Sequence, residues 1–188
     1  MPQALASSYC LNFRSVHRLD AGTFGLLIIC KSRRGFGELS CQFNRKLVLK
    51  LYVCLCVGPS PGFVGSRGCV FGSRLKLTTW FCEIQAVVCK LVAGRTHLIR
   101  GSQRCVWGDR TYANRWLLAG VLRALRLATS QHSLNAYLVC FEHAVNRRLV
   151  SLEHKPDVFS RYLLINFLKF SASGVHRLAT SLVSLASV

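Results

Sequence analysis

Hydrophobic and polar positions alternate along the chain with two different periods, and each period predicts its own kind of element. Over residues 35–47 apolar side chains recur every three or four positions, which predicts an amphipathic helix. Residues 48–57 are rich in β-forming residues, and their period-two alternation predicts a strand with two distinct faces. One of these faces carries Lys50, Tyr52, Cys54 and Cys56.

Shorter apolar runs make up the rest of the pattern. Residues 23–30 predict a buried strand with Asp20 at its entrance, and residues 58–62 and 65–72 predict loops. Further strands are predicted at residues 75–81, 83–92 and 134–141, helices at 116–128 and from Pro156 onward, and a turn at 143–148. Mixed elements without a regular repeat favour an α+β fold.

Length and charge narrow the classes of protein to consider. A chain of 188 residues is long enough for one domain with a sizeable core and too short for two ordinary ones. The formal net charge of +18 favours a polyanionic partner, either nucleic acid or an anionic membrane face. Both partners fit the charge equally well.

The sequence does not predict a membrane-spanning helix. Such a helix needs roughly 20 apolar residues, whereas the longest uncharged stretch, residues 51–66, is interrupted by glycines and prolines. The first 16 residues lack a continuous apolar core, so they do not predict a secretory signal. No segment forms a clean basic amphipathic helix of the kind that binds membrane surfaces. We therefore rank a membrane partner last and expect an intracellular protein, either of the cytoplasm or of an organelle.

Ten cysteines raise the question of disulfides or metal binding. A chain with 51% hydrophobic residues can build a core without disulfides, so we expect the cysteines to be mostly reduced. There is no Cys-x-x-Cys pair, and Cys54 and Cys56 share a strand face without the spacing of zinc ligands. The sequence therefore predicts small buried thiols and no metal site.

Asp20 is the leading candidate for a reactive group. It is one of only seven acidic residues, it follows His17-Arg18-Leu19, and it stands just before an apolar run. A carboxylate in so basic a chain is expected to enter ion pairs. The alternative is an ordinary turn or capping aspartate, which is common before glycine.

Four segments in a fixed order resemble the RluA-type family of RNA pseudouridine synthases, and together they are far more specific than any one alone. They are His17-Arg18-Leu19-Asp20 with Thr23 and Gly25; Lys50-Leu51-Tyr52 after the predicted helix; Gly94-Arg95-Thr96-His97-Leu98-Ile99-Arg100 with Gly108-Asp109; and Leu134 to Leu138 with Phe141-Glu142-His143. The resemblance covers roughly residues 15–164.

The resemblance implies a fold, an activity and partners. The fold would be a pseudouridine synthase catalytic domain over residues 1–164, shortened at its N-terminus, with a mixed, mainly antiparallel sheet and flanking helices. Residues 165–188 would be a tail of unknown role. The activity would be isomerisation of uridine to pseudouridine in ribosomal or transfer RNA by a protein that we expect to be monomeric. No metal or organic cofactor is implied.

The resemblance also assigns residues to the chemistry. Asp20 would be the catalytic carboxylate, acting either as a nucleophile or by taking a proton from the sugar. Arg100 would hold it bidentately, and Tyr52 would pack on the base within reach of proton transfer. Substrate-binding positions would be Arg18 beside the flipped nucleotide, Ile99 as an apolar wall beneath the base, and Arg95 and His97 in the same basic segment.

Each assignment has a plainer alternative. Tyr52 could be an ordinary strand aromatic and Arg18 a phosphate clamp, while His17 and His97 fit hydrogen-bonded scaffolding better than catalysis. These alternatives stay open at the level of the sequence.

Departures from the family pattern keep a second function open. Phe24, Leu98, Asn135 and Ala144 replace the family's Ser, Gln, His and Pro. Few residues separate Arg100 from Gly108, and only 16 residues precede the first segment, so we expect an upstream strand to be missing. The alternatives to an active synthase are a noncatalytic RNA-binding derivative of the same fold and, less favoured, an unrelated protein. A measurement of turnover distinguishes an active synthase from the noncatalytic derivative.

Overall fold

In a computed structural model, the described part of the chain forms a six-stranded sheet, a two-stranded ribbon and two helices. The structure describes residues 13–57, 69–78, 83–91, 98–102, 106–109, 111–112 and 132–154. The elements are β1 (Arg14–Ser15), β2 (Phe24–Gly25), β3 (Ile29–Cys30), α1 (Arg33–Asn44), β4 (Leu49–Val57), β5 (Cys69–Thr78), β6 (Glu83–Leu91), α2 (Leu98–Ser102), β7 (Leu134–Glu142) and β8 (Leu149–Glu153). No helix among these elements is long and apolar enough to span a membrane.

The six-stranded sheet follows the order β2-β7-β4-β6-β5, and β8 also pairs with β7. All of its pairings are antiparallel except the parallel one between β2 and β7. β1 and β3 form the separate antiparallel ribbon. This mixed, mainly antiparallel sheet with helices confirms the α+β fold class expected from the sequence.

The two faces of β4 belong to different parts of the core. Tyr52, Cys54 and Cys56 pack in one cluster together with side chains of β6, α2 and β7. Leu51 and Val53 pack in a second cluster on the opposite face. The period-two prediction for this strand is therefore confirmed, and the face that carries Tyr52 is the one that α2 covers.

α1 begins and ends at positions that local chemistry explains. The Ser32 hydroxyl accepts a hydrogen bond from the Gly35 N–H at 3.1 Å and caps the N-terminus. The helix packs through Leu39, with Phe36 and Phe43 partly buried against the same cluster. The predicted end at Leu47 is wrong, because Lys46 adopts a φ of 60° just after the helix and leaves Leu47 exposed.

The single strand predicted at residues 23–30 is also wrong. The chain forms β2, leaves the large sheet, and then forms β3 in the ribbon. Gly25 has a φ of +115°, and a Cβ at that position would overlap the Ala136 carbonyl oxygen. Only glycine permits so close an approach to β7, and the chain turns away immediately after it.

β5 differs from its prediction as well. It begins at Cys69, inside the segment predicted to be irregular, because the pairing with β6 shifts register between Phe71 and Arg74 and so accommodates Gly72 within the strand. β6, β7 and the turn that follows β7 are found as predicted. The predicted helices at residues 116–128 and after Pro156, and the proposed tail, lie outside the described residues.

Candidate active site

Asp20 occupies the first position of a tight turn that leads into β2. The Thr23 N–H donates to the Asp20 carbonyl oxygen at 2.9 Å. Gly22 lies inside the turn with a φ of +80°, a conformation that glycine adopts without steric cost. The local sequence therefore holds the Asp20 backbone in a defined bend.

His132 packs against this turn from the strand side. Its ring Nε2 lies 3.1 Å from the Thr23 hydroxyl, and a Cβ on Gly22 would lie 2.8 Å from its Cε1. His132 is buried just ahead of β7, so its ring can fix the turn against the sheet. His132 belongs to none of the recognised segments, so sequence reasoning missed it.

His17 supports the same loop from the α1 side. Its Nε2 accepts a hydrogen bond from the Ile28 N–H at 3.0 Å, and its ring stacks on Phe43 with centroids 5.0 Å apart. Burial lowers the pKa of His17, and the positive charge of Lys50 lowers it further. A neutral imidazole with an occupied acceptor agrees with the scaffolding interpretation.

Tyr52 lies on the face of β4 that is turned toward Asp20. It packs with Ile99, Leu134 and Ala136, and Leu19 covers the edge of this cluster. Burial raises the pKa of Tyr52 to about 12, and the negative charge of Asp20 contributes to the rise. The phenol is therefore protonated at neutral pH and lies within the electrostatic field of Asp20.

Arg100 on α2 forms a buried, bidentate ion pair with Asp109. Arg100 Nε lies 2.6 Å from Asp109 Oδ2, and Arg100 Nη2 lies 2.9 Å from Asp109 Oδ1. The side chains are 8% and 0% exposed. Two parallel bonds in a water-poor setting fix the orientation of the guanidinium plane.

Further hydrogen bonds complete the Asp109 site. The backbone N–H groups of Thr111 and Tyr112 donate to Asp109 Oδ1 at 2.9 and 3.2 Å. Burial alone would raise the pKa of Asp109, but the Arg100 bond and these two backbone donors outweigh it and hold the pKa below its usual value. Asp109 is thus a permanently ionised anchor for Arg100 at neutral pH.

The expected bidentate pairing of Arg100 with Asp20 is wrong, since Asp109 takes that place. Asp109 is brought there by a segment inserted between two strands. The Trp107 N–H donates to the Leu55 carbonyl of β4 at 2.8 Å, and the Ser133 N–H ahead of β7 donates to the Trp107 carbonyl at 2.7 Å. Asp20 still acts on Arg100, because its negative charge adds to the rise in the Arg100 pKa that the Asp109 bond causes first.

The other predicted site residues fall into two groups. Ile99 is buried in the cluster that contains Tyr52, and Arg18 is exposed two residues before Asp20. Arg95 and His97 lie outside the described residues. Asp20, Tyr52, Ile99 and Arg100 therefore meet on one side of the sheet although they come from three separate places in the chain, namely the turn before β2, β4 and α2. Asp109 and His132 are the supporting residues that the sequence did not predict.

The cysteines of β4 lie beneath this site. Cys54 and Cys56 have their sulfur atoms 3.7 Å apart, and both are buried. Hydrogen bonding with Cys56 lowers the pKa of Cys54, but hydrogen bonding with Cys89 and burial outweigh it and raise the pKa well above its usual value. Within the described ranges, no group of three His, Cys, Asp or Glu side chains could hold a metal ion.

Comparisons with known proteins find similar proteins in one family. A family profile described as RNA pseudouridylate synthase matches residues 5–69. Ribosomal large subunit pseudouridine synthase C of Vibrio vulnificus is 30% identical over 156 residues, which cover 71% of this chain and 46% of that protein. The chloroplastic RNA pseudouridine synthase 2 of Arabidopsis thaliana is 27% identical over 196 residues, covering 80% of this chain and 46% of that protein.

Solved structures show the same fold. Human RNA pseudouridylate synthase domain containing 4 superposes with a TM-score of 0.62 at 17% identity, covering 81% of this chain and 74% of that one. Human RNA pseudouridylate synthase domain containing 1 gives a TM-score of 0.59 at 19% identity, covering 88% and 79%. The chain spans about half the length of the curated relatives it matches.

Proposed function

We propose, on the premise that this chain belongs to the RluA-type family of RNA pseudouridine synthases, that it isomerises uridine to pseudouridine in structured RNA. The observation that carries the proposal is the grouping of Asp20, Tyr52 and Arg100. The negative charge of Asp20 raises the pKa values of both other residues, so the three share one electrostatic environment. These are the residues to which the family resemblance assigns the chemistry.

The reaction moves the uracil base without adding or removing atoms overall. The bond between N1 and C1′ breaks, the base turns, and a new bond forms between C5 and C1′. The C5 proton leaves, and N1 carries a proton in the product. We assign the carboxylate step to Asp20, either by attack on C1′ or by removal of a sugar proton. The tight turn and the His132 contact hold Asp20 ready for this step.

Tyr52 and Arg100 would act around the same carboxylate. A phenol with a pKa of about 12 stays protonated at neutral pH, so Tyr52 can pack on the base and donate a hydrogen bond. Arg100 uses Nε and Nη2 to bind Asp109, and its Nη1 takes no part in those two bonds. Nη1 can therefore face Asp20 or the nucleotide while the rest of the guanidinium stays fixed.

The remaining assignments concern the residues that bind substrate, the class of RNA, and the boundaries and oligomeric state of the catalytic unit. We assign Ile99 to the apolar wall of the base pocket, Arg18 to the flipped nucleotide, and Arg95 and His97 to substrate binding. The RNA would be ribosomal or transfer RNA, and the relatives named for the large ribosomal subunit favour the first of these. We further propose that residues 1–164 form the catalytic unit, that residues 165–188 form a tail, and that the protein acts as a monomer.

Pseudouridine formation tests this function. Purified protein is incubated with a pool of total RNA, and pseudouridine is quantified in the digested product. Asp20→Asn is the test variant, and Glu142→Gln, which alters an exposed carboxylate on β7, is the matched control. We expect product from wild type and Glu142→Gln but not from Asp20→Asn. A folded wild type that binds RNA without making product would contradict the enzyme and support a noncatalytic derivative.

A further inference from the structure

Four exposed cations gather at the N-terminal end of α1. They are Arg14, Lys31, Arg33 and Arg34, which we call the α1 basic patch. The ribbon brings them together, because Arg14 pairs with Cys30 across β1 and β3, directly beside Lys31. The Arg14 guanidinium also lies 5.6 Å above the Phe36 ring, one helical turn beyond Arg33. The ribbon and the N-terminal end of α1 thus present one positive surface.

Three carboxylates of the described residues form ion pairs away from the patch. Asp109 binds Arg100, and the only acidic residue of α1, Glu38, lies 3.5 Å from Arg147 on the turn after β7. Glu142 also pairs with Arg147, at 2.9 Å. Within the part of the chain that the structure describes, no ion pair neutralises the α1 basic patch. Its charge is therefore available to an outside partner.

Two of these cations lie where they work against the helix. Arg33 and Arg34 follow the Ser32 cap, and the first turn of α1 holds no acidic residue. The helix dipole places partial positive charge at this end, so cations there destabilise the helix and anions stabilise it. A bound phosphate would reverse this unfavourable arrangement by facing both the cations and the helix end. Arg33 and Arg34 thus lower the stability of α1 somewhat and concentrate positive charge at its N-terminal end.

The α1 basic patch lies outside the candidate active site, at the end of α1 that is farther from it. Arg14 contacts Phe36, and His17 stacks on Phe43, two turns further along the same face of α1. The chain therefore runs along α1 from the patch toward Asp20 and covers about 10 Å between these two contacts. A strand of nucleic acid whose target base is at Asp20, and which follows the same path along α1, would place a more distant phosphate at the patch.

We propose that the α1 basic patch is a docking surface for the phosphate backbone of the RNA, beyond the nucleotide that is isomerised. This proposal rests on the proposed function for its choice of RNA as the polyanion. The patch would contribute to affinity without distinguishing sequence, because phosphate contacts position a nucleic acid and bases specify it. It would leave the chemical step unchanged.

Two paired variants test the proposal. Arg33→Gln with Arg34→Gln removes two charges from the N-terminal end of α1, and Arg45→Gln with Lys46→Asn removes two from the opposite end. Asn suits position 46 because Lys46 has a φ of 60°. Binding of a fluorescein-labelled RNA hairpin with uridines in its loop is measured over a range of salt concentrations, and the melting temperature is measured for each protein.

The proposal predicts opposite effects on binding and stability for the first pair. Arg33→Gln with Arg34→Gln should weaken RNA binding about tenfold and flatten the slope of log affinity against log salt by about 1.4, for two lost phosphate contacts. It should also raise the melting temperature by about 1–4 °C, because two cations no longer oppose the dipole. Arg45→Gln with Lys46→Asn should leave binding near the wild-type value.

Three results would overturn the proposal. Equal losses of binding in both pairs would indicate a general charge effect, and unchanged binding in the first pair would indicate no contact. If Arg33→Gln with Arg34→Gln weakened binding to phosphatidylserine-containing vesicles but not to RNA, the surface would be assigned to a membrane. Because binding is measured apart from turnover, a protein that forms no pseudouridine can still confirm the docking surface, and an active enzyme can still refute it.

Discussion

Arg100 and Asp109 form one rigid unit, in which a fully buried carboxylate accepts two bonds from a guanidinium and two from backbone N–H groups. Asp109 holds the guanidinium in place, and the negative charge of Asp20 adds to the rise in the Arg100 pKa. The ion pair thus fixes an arginine near the carboxylate to which we assign the chemistry.

Asp109→Asn should destabilise the protein by about 3–5 kcal/mol, because Arg100 would then be a buried charge without its counter-ion. Urea unfolding gives the free energy directly. Glu142→Gln is the control, since the Glu142 and Arg147 side chains are 46% and 61% exposed and solvent screens the attraction between them. A loss for Asp109→Asn as small as that of the control would contradict the buried-pair interpretation.

His17 should make the protein less stable in mild acid. Its pKa is lowered in the folded state, so the unfolded chain binds a proton first as the pH falls below about 6.5. The His17 contribution is therefore complete above that pH and is lost as the pH falls through the folded value. In His17→Gln the amide oxygen can still accept from the Ile28 N–H but cannot be protonated.

Melting temperatures measured between about pH 7.5 and about pH 5 test this dependence. We expect a smaller decline for His17→Gln than for wild type, since the other histidines contribute equally to both. Identical declines in the two proteins would show that His17 is not held neutral by its burial.

Tyr52 should make the protein less stable as the pH rises into the alkaline range. Its pKa is raised to about 12, so its contribution is complete below the unfolded value of about 10 and is lost as the pH rises toward 12. Tyr52→Phe should show a shallower decline in unfolding free energy across this range. Asp20→Asn should show a smaller change in the same direction, because burial is the larger cause of the shift. An unchanged decline in Tyr52→Phe would contradict the assignment.

Two glycine substitutions should change stability in opposite directions. Gly25→Ala would place a methyl group against the Ala136 carbonyl oxygen at a φ of +115°, so we expect a loss of at least about 1–3 kcal/mol. Gly37→Ala meets nothing within 4 Å in the interior of α1, and we expect a gain of about 0.5–1 kcal/mol. Thermal unfolding distinguishes them, and a well-tolerated Gly25→Ala would mean that β2 does not approach β7 this closely.

Local patterns allowed the sequence to predict the elements that depend mainly on local residues. α1, β4, β6 and β7 follow from periodicity, because each buries one repeated face or alternates between two faces. The division of residues 23–30 into β2 and β3 could not be predicted, since it depends on the contact of Gly25 with a distant strand. Likewise, β5 extends through a glycine because its pairing with β6 tolerates an irregularity there.

The candidate site was predictable only through the family resemblance. Periodicity placed Tyr52 on a strand face but gave no reason to bring Asp20 or Arg100 beside it. The partner of Arg100 could not be chosen, because two aspartates lay in recognised segments and only the path of residues 106–109 between β4 and β7 selects Asp109. Phe24 and Asn135 both depart from the family pattern, and they are register partners across β2 and β7, which the sequence could not show.

The identity of the catalytic carboxylate is tested most directly by release of tritium from the uridine C5 position in labelled RNA. Wild type, Asp20→Asn and Glu142→Gln are compared at RNA concentrations that saturate all three proteins, with RNA binding measured separately. We expect release from wild type and Glu142→Gln. For Asp20→Asn we expect the rate of release to fall by about a thousandfold or more while the RNA affinity is retained. Release by Asp20→Asn at the wild-type rate would contradict the assignment of Asp20 as the catalytic carboxylate.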